Sequence, residues 1–131
     1  MLDEALIDYL IFHGREERNL EYKRSMNWAD IDTKVKITKA AMAMSNIPDG
    51  GYIVIGVTKN GEVYEPDGMQ EIHSDSFKQD DVMTWINEYA DPYVELIVTF
   101  ADRSSKHFVI IEVLEFDELP VVCKKDGQDL K

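Results

Sequence analysis

Apolar and polar positions along this chain fall into blocks of two different periods, and those blocks lay out its elements. Leu2, Ala5, Leu6, Tyr9 and Leu10 stand at i, i+3, i+4, i+7 and i+8, the spacing of an amphipathic helix, which Gly14 ends. Arg15-Glu16-Glu17-Arg18 is a charged connector. Asn19-Leu20-Glu21-Tyr22-Lys23-Arg24 then alternates with period two, so a strand here turns Leu20 and Tyr22 to one side and Glu21 and Lys23 to the other. A loop from Ser25 to Ile31 carries Trp28, and Asp32 is placed to cap a second helix. That helix has an apolar stripe of Ile37, Ala40, Ala41 and Met44, with Lys34, Lys36 and Lys39 around the rest.

Asn46-Ile47-Pro48-Asp49-Gly50-Gly51 turns the chain into Tyr52-Ile53-Val54-Ile55-Gly56-Val57, an apolar β-branched run that reads as a central buried strand. Lys59-Asn60-Gly61 is a hairpin signal, and Glu62 to Tyr64 is expected to pair back on residues 52 to 57 before Pro66-Asp67-Gly68. Ser76-Phe77-Lys78-Gln79 has the spacing of a capping box. It precedes a helix marked by Val82, Trp85, Ile86 and Tyr89 and stopped by Asp91-Pro92. Two alternating strands follow, Val94 to Phe100 and His107 to Leu114, joined by the turn Asp102 to Lys106. Leu119 to Cys123 fits an edge strand, where Pro120 is tolerated. Lys125-Asp126-Gly127 opens a turn with no returning strand, so a module cut from a longer protein is expected, and a frayed native tail is the other reading. The order of elements argues for an α+β domain, a mixed sheet covered by two or three helices.

Composition narrows the picture. The 131 residues, 44% of them hydrophobic, suit one compact domain. A single cysteine, Cys123, allows no internal disulfide, which makes a reducing cytoplasm the default compartment. No apolar run approaches the roughly 20 residues of a membrane span, and Met1-Leu2-Asp3-Glu4 lacks the basic start of a signal peptide. The net charge of −12 is unevenly spread. Residues 1–60 hold 8 Lys/Arg against 9 Asp/Glu, and residues 61–131 hold 6 against 17. Most of such a surface repels phosphate backbones, so any nucleic-acid contact belongs to a local patch in the first half.

The candidate chemistry lies in that half. Glu16, Glu21 and Lys23 bring two carboxylates and an ammonium to a connector and one strand, the kit of a Mg²⁺- or Mn²⁺-dependent nuclease; a solvated strand face is the plainer reading of the same residues. Arg15, Arg18, Lys23, Arg24, Lys34, Lys36 and Lys39 form the concentrated positive charge, with Trp28 or Tyr22 as a stacking platform. The amides of the Gly50-Gly51 turn could cradle a phosphate, but no Lys-Ser/Thr follows them, and a tight connection explains them as well. His13, His73 and His107 show no ligand spacing, and no serine or cysteine elbow is present.

Three blocks in order resemble one family. Glu16-Glu17-Arg18-Asn19-Leu20-Glu21-Tyr22-Lys23, Ala43-Met44-Ser45-Asn46 and Gly50-Gly51-Tyr52-Ile53-Val54-Ile55-Gly56-Val57 are similar to successive motifs of the Schlafen AlbA_2 domain, also described as a divergent AAA-4 or DNA-binding domain of bacterial transcriptional regulators. The resemblance spans about residues 10–125. It implies an Alba-like α+β fold and a DNA-binding module at the N-terminus of a regulator, with Arg15, Arg18, Lys23, Arg24 and Lys34 as contacts and no cofactor. In the animal Schlafen branch similar carboxylates serve a metal-dependent endoribonuclease. That alternative would make Glu16 and Glu21 the Mg²⁺ or Mn²⁺ ligands and set Lys23 beside the scissile phosphate. Glu17 stands where the family has a small Ser, the turn before Gly50 is one residue longer, and Thr58 stands where an acid is expected. The last departure bears on catalysis more than on binding; Asp49 and Glu112 are the acids that could substitute. A third reading is a protein-interaction or oligomerisation domain, including a homodimer, whose acidic half meets a basic partner.

Overall fold

A computed structural model describes residues 2–116 and 122–123 of the chain. Its centre is a mixed sheet of four strands in the order β1-β2-β7-β6, in which β1 (Leu20–Lys23) runs parallel to β2 (Gly51–Ile55) while β7 (Lys106–Val113) is antiparallel to both β2 and β6 (Leu96–Arg103). Helices cover both faces. On one, α1 (Glu4–Phe12) packs Ile7, Leu10 and Ile11 against Leu20, Tyr22, Val54, Phe108 and Ile110. On the other, α2 (Ile31–Ser45) and α4 (Gln79–Tyr89) set Ile37, Ala41, Met44, Val82 and Ile86 against Ile53, Ile55, Val109, Ile111 and Val113. The result is an α+β fold with a mixed sheet, as the order of elements implies.

Double coverage explains one departure from expectation. Residues 107–114 do not alternate, because β7 is an interior strand and both of its faces meet a helix layer: Phe108 to Ile111 are buried without a break. The hairpin from β6 into β7 is tighter than the expected turn. Ser104 and Ser105 both take positive φ, 54° and 63°, so the strands run up to Arg103 and Lys106.

Other boundaries differ for identifiable reasons. The buried face of α1 is not the expected stripe, since Ala5 and Tyr9 are exposed and Ile7, Leu10 and Ile11 point inward. Both faces of this helix carry apolar residues, and Arg103 holds Glu4 and Asp8 on the outer side at 2.7 and 2.6 Å. Asp30 rather than Asp32 occupies the α2 N-cap, and Asp32 lies in the first turn. The segment 62–64 does not return to the central strand. Val63–Glu65 (β4) pairs with Thr58–Asn60 (β3) as a separate hairpin, because β1 and β7 already flank β2.

Ser76 is no capping-box residue, because it ends α3 (Glu71–Ser76), a short helix that the hydrophobic pattern does not announce. Its hydroxyl accepts from the Trp28 N–H at 2.8 Å and donates to the His73 carbonyl at 2.6 Å. Gln79 reaches the sheet instead. Its amide donates to the Leu96 carbonyl at 3.0 Å and accepts from the Val98 N–H at 2.9 Å. At the chain's far end β5 (Ala90–Asp91) pairs with β8 (Val122–Cys123), while the expected segment 119–121 and the turn at Lys125-Asp126-Gly127 lie outside the described residues.

Candidate nucleic-acid interface

Strand β1 is the edge of the sheet, and its two faces behave as its alternation predicts. Leu20 and Tyr22 are buried toward α1, where the Tyr22 hydroxyl donates to the Leu10 carbonyl at 2.6 Å. Burial pushes the Tyr22 phenol above its ordinary pKa. Glu21 and Lys23 occupy the opposite face and pair with each other at 2.8 Å. Glu16 closes the free edge of the strand. One carboxylate oxygen accepts from the Tyr22 N–H at 2.9 Å, and the other accepts from the Tyr64 hydroxyl at 3.3 Å.

The ends of β1 and β2 are tied together. The Lys23 carbonyl accepts from the N–H groups of both Gly56 and Val57, at 2.8 and 3.1 Å. Gly56 has φ 118° and no room for a side chain, since a Cβ would stand 2.8 Å from the Phe108 ring. That turn leads the chain off the sheet into the β3–β4 hairpin and so brings Lys59 back toward β1.

A groove of about 270 Å³ forms where these parts meet. Lys23, Arg24, Lys36 and Lys59 line it together with Tyr22 and Tyr64, and among the described residues no carboxylate-bearing one does. The Tyr22 and Tyr64 rings are 5.4 Å apart, and Lys59 Nζ lies 5.7 Å over the Tyr64 ring. Among the described residues, Arg24, Lys36 and Lys59 join no ion pair. Arg24 also lines two adjoining concavities, one reaching the first turn of α2 and the other running along Gly68 to Gln70. Ser25, next to it, accepts from the Gln70 N–H at 3.0 Å and shares a hydrogen bond with His73 Nδ1 at 2.7 Å.

The structure thus brings Lys23 and Arg24 of the expected contacts to one groove. Arg15 and Arg18 are exposed on the α1–β1 connection and line none of these hollows. Lys34 stands elsewhere, its Nζ 4.7 Å from the Trp85 ring and 5.8 Å from the Trp28 ring. Two positions complete the groove: Lys36, visible in sequence only as one of several basic residues, and Lys59, which reads there as part of a turn signal. No local pattern announces Lys59, because its place depends on the hairpin folding back.

The Gly50-Gly51 turn serves packing. Gly50 has φ 69°, and a Cβ there would collide with the Val113 carbonyl, while Gly51 abuts Met44 and the Asn19 carbonyl. Among the described residues, no group of three or more His, Cys, Asp or Glu is placed to hold a metal ion. Glu16 and Glu21 have separate partners: Glu16 accepts from the Tyr22 N–H and the Tyr64 hydroxyl, and Glu21 pairs with Lys23. At Thr58, the position where the family resemblance implies an acid, the hydroxyl donates to Asp67 Oδ1 at 2.8 Å.

Solved structures of similar shape exist. The N-terminal domain of an ATP-dependent DNA helicase RecG-related protein from Nitrosomonas europaea superposes with a TM-score of 0.65 at 22% identity, over 90% of this chain and 80% of that one. The DIP2311 protein from Corynebacterium diphtheriae gives a TM-score of 0.57 at 12% identity, over 89% of this chain and 22% of that one. At these identities the likeness is one of fold. No curated protein matches the sequence. The Schlafen AlbA_2 profile matches residues 16–129, from the connector ahead of β1 onward, and the chain belongs to the Schlafen AlbA_2 family.

Proposed function

We propose that this chain is a nucleic-acid-binding module that carries DNA through the groove of Lys23, Arg24, Lys36 and Lys59, within a transcriptional-regulator-like protein. The observation behind the proposal is electrostatic. In a chain of net charge −12, four cationic side chains line one groove, and three of them, Arg24, Lys36 and Lys59, join no ion pair among the described residues. Phosphates bind where cations are both clustered and unneutralised, because counterion release drives the association. Arg15 and Arg18 flank the same edge strand and extend the contact. Family membership and the helicase-related neighbour support the reading.

Fluorescence anisotropy with labelled 20-nucleotide DNA and RNA, single- and double-stranded, tests it across a salt series. Affinity should be measurable at low salt and fall steeply as salt rises. Lys36→Ala and Lys59→Ala should each weaken it by about three- to tenfold, roughly what one phosphate contact contributes. Absence of binding to every probe at low salt would overturn the proposal.

A metal-dependent nuclease is the second reading, favoured by the pairing of Glu21 with Lys23, which sets a carboxylate and a groove cation 2.8 Å apart. It requires that Mg²⁺ or Mn²⁺ produce cleavage that Glu21→Ala abolishes. Substrate left intact after long incubation with excess metal removes it.

A further inference from the structure

The other side of α2 carries a groove of the opposite electrical sign. Lys34 and Lys36 are two residues apart and so project from nearly opposite sides of the helix; Lys36 meets the basic groove and Lys34 enters a hollow of about 570 Å³. Both tryptophans of the chain line that hollow, Trp28 buried and Trp85 half-buried. Asp75, Asp80, Asp81 and Glu88 stand around it, and among the described residues none of them joins an ion pair. Among the described residues, Lys34 and Lys78 are the cations that oppose them.

Two observations say what this groove accepts. Lys34 already places an ammonium 4.7 Å from the Trp85 ring centre, so the indole face is shaped and oriented to hold a cation. Four unpaired carboxylates around an aromatic wall complement an arginine or lysine side chain on an extended segment, whose stem packs on the indole while its charge meets the acids.

We infer that this groove docks an arginine- or lysine-rich segment of a partner protein, its cation taking the position over Trp85 that Lys34 now holds. The inference is independent of nucleic-acid binding, because it uses a different groove with the opposite charge. A module of this kind would hold a phosphate backbone on one side of α2 and a basic polypeptide on the other.

The placement of both tryptophans makes the site its own reporter. Titration of the 131-residue chain with blocked hexa-arginine, followed by tryptophan emission, should give a saturable change, whereas hexaglutamate should give none. Asp81→Asn/Glu88→Gln should weaken hexa-arginine binding at least about threefold, as expected for losing two exposed charge pairs. The control pair Glu62→Gln/Glu95→Gln removes the same charge from other surfaces and should weaken it clearly less. Unchanged emission, equal effects of the two pairs, or an equal response to hexaglutamate would each overturn the inference. Concentration-dependent self-association that hexa-arginine competes away would assign the groove to a second copy of this chain and overturn it as well.

Discussion

Single residues carry sharp consequences where backbone and side chain are both constrained. Gly50 and Gly61 share nearly the same backbone, φ 69° and 66°, yet a Cβ would collide with the Val113 carbonyl at Gly50 and meet open space at Gly61. Gly61→Ala should therefore cost only the left-handed penalty, about 1 kcal/mol, and Gly50→Ala should cost roughly 2–4 kcal/mol as the collision adds to it. Urea denaturation midpoints separate the two. His107 offers a pH test. Its Nδ1 lies 2.7 Å from Asp102 Oδ1, and that bond to a carboxylate holds the imidazole above its ordinary pKa of 6.5. Because the folded value is raised, the pairing stabilises the fold fully below pH 6.5 and the benefit disappears as pH rises through the raised value. Asp102→Asn should bring the His107 titration, followed by NMR of the ring proton, back toward its ordinary range.

Among elements, α4 is tied to the sheet by amide side chains as well as by its apolar stripe. Gln79 makes two hydrogen bonds to β6, and Asn87 both donates to the Val94 carbonyl at 2.9 Å and accepts from the Val94 N–H at 2.7 Å. These side chains satisfy backbone groups that an edge strand and its lead-in would otherwise leave to water. Gln79→Ala and Asn87→Ala should each destabilise by about 1–3 kcal/mol, and hydrogen exchange should show the loss first at Val94 and Val98. In sequence both residues look like ordinary polar positions on an amphipathic helix. The apolar stripe of Val82, Ile86 and Tyr89 was legible; the partner of the polar positions was not, because it comes from the next strand.

For the whole molecule, charge and shape act against each other. Long-range repulsion from a net charge of −12 slows the approach of any polyanion, and the local groove must overcome it. Salt acts on both: it screens the long-range repulsion and it weakens the groove's hold on phosphates through lost counterion release. With the groove's four cations engaged, the slope of log K against log salt for a single strand should be about −2 to −3, and Lys36→Ala should make it shallower by about 0.7. A flat salt dependence would mean that contacts other than phosphates dominate.

Spacing along the chain is enough to place the helices α1, α2 and α4, the faces of β1, the buried run of β2 and the half of the chain that holds the positive charge. Each is a local property: periodicity, propensity or a count along the chain. Long-range packing is what makes β3 and β4 their own hairpin, sets α3 after them, and joins Lys59 to Lys23, Arg24 and Lys36. It also decides that Lys34 faces tryptophans and acids instead. Those outcomes depend on which strand edges are already occupied and on where a sharp turn at Gly56 sends the chain, and neither is a function of spacing along the sequence.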